Sequence, residues 1–302
     1  MTRNFFLYLS QQRRLRHWME TSPVARKLTS RFIAGESLDD ELRVSAQLQG
    51  QGIMTALDHL GENVTSLEEA KRSAAAYLQA LDQIAARGLP ATISIKATHF
   101  GMDVSEAACY ENVLRVAARA REIGTRVEID MESTAYTERT LALVTGVARE
   151  VGDIRIAIQA YLFRTPADID RLNALGIRVR LCKGAYNEPP NLAHPDKADV
   201  DRSYIELMHR LFDQGTDPAI AGHDPRMIQE AIRYSHEKGI GPARFEFQML
   251  YGIRRDLQRQ VVEQGFRLRV YVPYGAAWYP YFMRRLSERP ANVLFVARSL
   301  FR

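Results

Sequence analysis

The feature that most constrains this chain is an alternation. From residue 51 onward, short β-rich runs are each followed by a longer helical pattern. The runs read "GIMTALDHLG", "ATISIKATHFG", "RVEIDMES", "DIRIAIQAYL", "RVRLCKGAY", "PAIAGHD", "RFEFQMLYG" and "RLRVYVPYG". Between them, stretches such as "SLEEAKRSAAAYLQALDQIAARG" repeat apolar residues at helical spacing. Strand–helix alternation forces parallel pairing through right-handed crossovers, and eight such units match a closed barrel. A doubly wound open sheet is the competitor. It usually has fewer strands, and no G-x-G-x-x-G follows a strand here. The expectation is an α/β fold: a (β/α)8 TIM-type barrel over residues 51–302, preceded by a helical extension over residues 1–50. In that extension "TSPVARKLTSRFIAG" and "SLDDELRVSAQLQGQG" end in glycines suited to helix C-caps.

A chain of 302 residues suits two small domains or one barrel of about 250 residues. An apolar fraction of 46% supplies ample core, and a net charge of +5 is too mild and dispersed to argue for nucleic acid. The cysteines, Cys109 and Cys182, give no disulfide framework, so a reducing, cytoplasmic setting is the natural reading. No run of about 18 apolar residues is present to span a membrane. The basic, aromatic start "MTRNFFLYLSQQRRLRHWME" lacks the features of a secretory signal. It leaves three readings open: an organellar presequence, a helix lying on a membrane surface such as the inner face, or a helix docked on the domain.

Catalytic groups of a barrel belong at the C-terminal ends of its strands. Those ends read Lys96, then Asp130 and Glu132, then Gln159, then Arg180 and Lys183, then His223 and Asp224, then Glu246 and Gln248, and finally Tyr271. A purely structural barrel core would prefer branched apolar residues there, so seven polar exits in succession point to a site. The ring is rich in donors and poorer in carboxylates, which suits an anionic ligand and not a metal ion; no metal is expected. Cys182 reads as an inert core thiol inside a strand, and Ser133 and Thr134 as an N-cap for the next helix. The long polar connection "NEPPNLAHPDKADVD" after the fifth strand reads as a lid or binding loop. With tyrosines mixed into the rim, these residues describe a small pocket with apolar walls and a charged anchor. No proton-abstracting dyad is evident, so redox chemistry by a bound cofactor is a candidate.

In "YFMRRLSE", Tyr281, Arg284, Arg285 and Glu288 share one arc of a helix. A solvated face and a double guanidinium fork for an anion both fit that spacing. The order "SIKATHFG", "EIDMES", "RVRLCKGAY", "FEFQMLYG", "RVYVPYG" and "YFMRRLSERPANVLFV" resembles the proline dehydrogenase family, over roughly residues 53–300. The likeness is to its short bacterial form and to the matching domain of the bifunctional proline-catabolic flavoenzyme. That resemblance implies a barrel that holds FAD, oxidises L-proline to Δ1-pyrroline-5-carboxylate and passes electrons to a quinone. It implies that Arg284 and Arg285 grip the proline carboxylate, with Lys96 a third positive group and Glu288 behind the fork. Tyr186, Leu250, Tyr271 and Tyr281 would wall the ring, while Asp130 would orient Tyr271 and Arg180.

The same resemblance gives the FAD positions as Asp130, Gln159, Arg180, Cys182, Lys183, Gly184, Ala185, Gly222, His223 and Gln248. Glu62, in the first βα loop, would gate the pocket. Asn187 and Gly222 depart from the bifunctional pattern, where tryptophan and threonine stand. Two other functions compete: a flavin-dependent barrel acting on hydroxyproline or a folate, and a non-catalytic barrel that binds an amino acid. A peripheral membrane contact and a homo-oligomer both stay open.

Overall fold

The computed structural model describes residues 29–279 and 281–283. Eight parallel strands close into a barrel in chain order, each pairing with the next and β8 with β1. They are β1 (Met54–His59), β2 (Ala91–Ile95), β3 (Val127–Ile129), β4 (Ile154–Gln159), β5 (Arg178–Cys182), β6 (Ala219–Ala221), β7 (Glu246–Leu250) and β8 (Leu268–Tyr274). Helix α1 (Leu38–Gln49) precedes the barrel. The seven crossover helices are α2 (Leu67–Arg87), α3 (Glu106–Glu122), α4 (Thr134–Val151), α5 (Thr165–Ala174), α6 (Lys197–Gln214), α7 (Pro225–Glu237) and α8 (Arg255–Glu263). The alternation in the sequence thus reads directly as the fold. The basic stretch at residues 1–20 lies outside the described residues, as do Arg284, Arg285 and Glu288.

Local chemistry explains the helix ends. Ser66 caps α2 by accepting from the Glu69 N–H, and Gly88 closes it in the left-handed conformation that residues without a Cβ adopt at little cost. Ser37 and Asp40 form a reciprocal capping box on α1. The α1 terminus departs from expectation in one detail: Gly50 caps it in a right-handed conformation, and the positive φ falls at Gly52.

Every strand is buried on both faces, and its residues divide with a period of two. Ile93, Ile129, Ile156, Ile158, Val179, Leu181, Phe247, Val270 and Val272 join the apolar core shared with the helices. Each such side chain contributes roughly 1.5–3 kcal/mol. Their neighbours along the strands are polar: Thr92, Ser94, Glu128, Arg155, Arg180, Glu246, Gln248 and Arg269 are all buried. The branched apolar filling expected of a structural barrel therefore lies outside the strands, against the helices, and the lumen is an ion-pair network.

Glu246 belongs to the lower part of that network, not to a strand exit as the sequence order suggested. It is the first residue of β7 and binds Arg155 at 2.5 Å and Arg269 at 2.9 Å. Arg155 also donates to Glu128 at 3.1 Å and to Asp217 at 3.0 Å.

Helix α1 packs Glu41, Leu42, Ser45 and Leu48 inward, and the Ser45 hydroxyl meets that of Thr55 on β1 at 2.7 Å. Burial pushes the Glu41 carboxyl up to about 8. The folded protein therefore holds Glu41 protonated at pH values where the unfolded chain, near 4.5, has released the proton. Stability associated with this group falls as pH rises from about 4.5 to about 8. Glu41→Gln, which mimics the protonated form, should raise the unfolding free energy at pH 8 by up to about 4 kcal/mol and change it little at pH 4. Urea unfolding at the two pH values checks this; an equal effect at both would contradict it.

Candidate active site

The upper part of the lumen converges on Asp130, the residue after β3, whose own N–H donates to the Ile95 carbonyl at 2.8 Å. Ser94 Oγ donates to Asp130 Oδ1 at 2.8 Å and the Tyr271 hydroxyl to Oδ2 at 2.7 Å. Arg180 donates to Oδ1 through Nη2, and Lys96 Nζ stands 3.5 Å from Oδ2. Lys96 also binds Asp58 Oδ1 at 3.0 Å. Below, Arg180 reaches Glu128 and Gln248 at 3.4 Å each, while Gln248 donates to Glu128 at 2.9 Å. The Arg180 guanidinium lies 5.6 Å from the Tyr271 ring centroid, within cation–π range.

This geometry fixes the charge states. Burial opposes the charged form of Asp130, but Arg180 and Lys96 outweigh it and hold the carboxyl below its usual range. Burial likewise opposes a charged Lys96, yet Asp58 and Asp130 hold its ammonium well above its ordinary value. Asp58 is raised by burial, with Lys96 acting against that and the Asp130 charge adding to it. The Tyr271 phenol is raised by burial and by the Asp130 charge, so it stays a neutral donor.

Among the described residues, the lysines and arginine of this ring are each met by carboxylates. Lys96 pairs with Asp58 and Asp130, Arg180 with Asp130 and Glu128, and Lys183 with Asp201 and Asp224. A buried cation left without a carboxylate is too costly, so partners arrive from distant strands. Four of the residues in these networks escaped the sequence reading: Asp58, Ser94, Glu128 and Asp201. Asp58, Ser94 and Glu128 each stand one place before the last residue of their strand, and Asp201 lies in α6; no local pattern marks them, because their partners come from other elements.

A second group forms around the exits of β4 to β7. Gln159 Nε2 donates to the Glu132 carbonyl at 3.0 Å, and the Glu132 side chain takes the Thr98 N–H and hydroxyl, pinning the turn after β2. His223 Nε2 accepts the Leu250 N–H at 2.8 Å, which places the ring proton on Nδ1. Asp224 caps α7 and pairs with Lys183, so one carboxylate ends a loop and fixes a cation. Gly184 adopts φ +125°, and a Cβ there would stand 2.3 Å from the Tyr161 ring, so backbone alone fits. Gly184 and Ala185 are exposed, and Gly222 is half-buried with no heavy atom closer than 3.9 Å to a hypothetical Cβ.

Tyr186 is half-buried in the connection after β5. Leu250 packs against the cluster that contains Tyr281, Trp278, Phe282 and Leu60. Glu62 is exposed beyond β1, and its charge adds to the field that holds Lys96 protonated.

Two expectations need correction. Cys182 is the last residue of β5 and partly exposed, not a core thiol; the buried cysteine is Cys109, whose thiol burial pushes up to about 12. Ser133 does occupy the N-cap of α4, but its side chain makes no capping bond. Glu188, from the connection after β5, accepts from the Thr134 N–H and hydroxyl instead.

Among the described residues no group of His, Cys, Asp or Glu could hold a metal ion. The residues that are present suit a flavin dinucleotide. Donors with fixed orientation (Arg180, Gln159 and the Nδ1–H of His223) lie toward the mouth, Gln248 orients Arg180 from below by accepting from it, and Gly184 and Gly222 leave backbone open to close approach.

The family model for proline dehydrogenase matches residues 42–298. The chain is 37% identical over 304 residues to proline dehydrogenase 2 of Bacillus subtilis (strain 168), covering 99% of both chains. It is 38% identical over 280 residues to the proline dehydrogenase of Deinococcus radiodurans, covering 91% of this chain and 90% of that one. Among solved structures, proline utilization A (PutA) from Bdellovibrio bacteriovorus, inactivated by N-propargylglycine, superposes with a TM-score of 0.81 at 26% identity. That match covers 87% of this chain and 32% of the PutA chain, so this barrel spans about a third of the longer protein. The chain belongs to the flavin-dependent proline dehydrogenase family, as a monofunctional member homologous to the proline dehydrogenase domain of PutA.

Proposed function

We propose that this enzyme's proline dehydrogenase activity takes hydride from C5 of L-proline at the mouth of the barrel, above the Asp130 network, and yields Δ1-pyrroline-5-carboxylate. The observation that supports this reading most is the convergence of Arg180, Lys96, Tyr271 and Ser94 on one buried carboxylate at the C-terminal ends of the strands. A bound FAD would supply the two-electron acceptor for that hydride, with a quinone as the final acceptor. Arg180, Gln159, Gln248, Lys183, His223 and the backbone at Gly184, Ala185 and Gly222 would hold it, with Cys182 and Asp130 at its edge.

Lys96 and Arg180 each already face two carboxylates. Their charges are largely spent on Asp58, Asp130 and Glu128, so a substrate carboxylate needs further cations. Arg284 and Arg285 supply them in this reading, with Glu288 behind, although all three lie outside the described residues. Tyr186, Leu250, Tyr271 and Tyr281 then wall the ring, and a forked anchor turns C5 toward the flavin by fixing the opposite end of the substrate. Proline's amine must be neutral before hydride leaves, and in this reading Arg284 and Arg285 beside the substrate favour the neutral form. Glu62, whose charge reaches Lys96, gates entry in this reading.

Turnover with L-proline and a soluble quinone, with the product trapped by an aromatic amino-aldehyde, tests the reaction; quinone reduction without the trapped imine would contradict it. Arg284→Lys should raise the proline KM about tenfold to hundredfold with FAD retained, because lysine cannot fork. A KM unchanged in that variant would remove Arg284 from the carboxylate site. Among the described residues no helix is long and apolar enough to cross a membrane. The basic stretch at residues 1–20 is the segment we propose for any peripheral membrane contact, and deleting it should reduce association with anionic liposomes.

A further inference from the structure

The connection after β5 runs from residue 183 to 196 and contains Tyr186. Both of its ends are tied to the stretch after β4. Tyr161 N–H donates to the Lys183 carbonyl at 3.0 Å, His194 N–H to the Tyr161 carbonyl at 2.8 Å, and Phe163 N–H to the Leu192 carbonyl at 3.0 Å. Leu162 and Ala193 form an antiparallel bridge. Its middle reaches elsewhere. Glu188 Oε1 accepts from the Thr134 N–H at 2.9 Å and Oε2 from the Thr134 hydroxyl at 2.5 Å, across 54 positions of sequence.

The partner of this bidentate contact is the first turn of α4, an 18-residue helix whose own N-cap, Ser133, leaves the turn without a side-chain cap. A carboxylate there satisfies an orphan N–H and lies at the positive end of the helix. Helix α4 begins four residues after Asp130, so the contact links the β3 exit to the loop.

We infer that Glu188 is a positioning residue for proline oxidation: by capping α4 it fixes the loop that presents Tyr186 to the substrate pocket. The inference rests on the reading of Tyr186 as a wall of that pocket. Glu188 need not touch substrate or cofactor; it acts through the residue two places before it. A cap that served only the stability of α4 would leave both the loop and the substrate affinity untouched, and this separates the two roles.

The test compares Glu188→Ala, Glu188→Gln, Thr134→Val and Tyr186→Ala as FAD-loaded enzymes. Amide hydrogen exchange over residues 183–196 is measured beside proline KM and kcat. Glu188→Ala should speed exchange in the loop at least about tenfold and raise KM about tenfold, with kcat changed less than about twofold. Glu188→Gln keeps an acceptor for the Thr134 N–H and should stay within about twofold of wild type in KM. Thr134→Val should give a partial effect, and adding it to Glu188→Ala should change nothing further, as expected of two partners in one contact.

Raised KM in Tyr186→Ala with wild-type exchange and KM in Glu188→Ala would overturn the proposal. So would a Glu188→Ala protein that melts earlier while its loop exchanges at the wild-type rate. An unchanged KM in Tyr186→Ala would overturn the pocket reading and Glu188's part in the reaction with it. Loop exchange in Glu188→Ala, which needs no substrate, tells that failure from a failure of the contact itself.

Discussion

Replacing Asp130 by alanine should lower kcat/KM for L-proline by roughly 10²–10³, with the fold intact by circular dichroism. The size follows from what this one side chain holds. Its two oxygens accept from Ser94, Tyr271 and Arg180 and lie within 3.5 Å of Lys96. Truncation leaves these donors facing a void, each free to rotate away from the geometry in which they surround the pocket. Losing one buried acceptor of charged donors costs about 1.5–3 kcal/mol per hydrogen bond, and two charged donors are involved. Arg180 keeps Glu128 and Lys96 keeps Asp58, so the cations stay in the lumen but shift toward the remaining carboxylates. Turnover of the variant, with FAD content measured alongside, checks the prediction; a fall of less than about threefold would mean that Asp130 supports the wall and not the chemistry. Because Arg180 and Lys96 hold Asp130 ionised, its protonation should leave no limb in the pH–rate profile near neutrality.

The second large effect is on stability. Arg155 is fully buried and donates to Glu128, Glu246 and Asp217. Arg155→Met should destabilise the protein by about 3–5 kcal/mol, because it strands buried carboxylates that cannot be rehydrated. The loss should depend on pH. Burial opposes ionisation of Glu128 and Glu246, but their arginines outweigh it, and both carboxyls sit below the ordinary glutamate value. A carboxyl with a depressed folded-state pKa adds stability above its unfolded value, near 4.5, and loses it as pH falls through the folded one. The gap between wild type and Arg155→Met should therefore be widest near pH 7 and shrink on acidification. Denaturant midpoints at pH 7 and pH 4 measure it, and a constant gap would contradict the role of these ion pairs.

Particular residues show how far the sequence could be read. The eight strands were legible because β-branched runs and glycine-capped helices alternate with little ambiguity, and parallel closure follows from chain order. Lys96 and Asp130 were legible because a polar residue just past an apolar strand has few structural excuses; Arg180 and Tyr271, expected at strand ends, stand in the middle of β5 and β8 and were legible as polar residues inside apolar runs. Asp58 was not, since "TALDH" looks like an ordinary strand until Lys96 is placed 3.0 Å away. Glu128 and Arg155 sit at positions where a sequence shows only alternation; their partners lie 27 to 141 residues distant. Long-range charge pairing leaves no local pattern. The same holds for Glu188, which lies in a loop where its reach to Thr134 is set by the packing of two βα units and not by any neighbouring residue.

The central claim is that this barrel oxidises L-proline through a flavin held above the Asp130 network. Rapid mixing of the purified holoenzyme with L-proline in the absence of oxygen tests it most directly. The flavin absorbance should bleach in a single phase whose rate saturates with proline, and the Asp130→Ala enzyme should bleach roughly a hundredfold more slowly at saturation. A protein that carries no flavin, a flavin that ignores L-proline, or an Asp130→Ala enzyme that bleaches at the wild-type rate would contradict it.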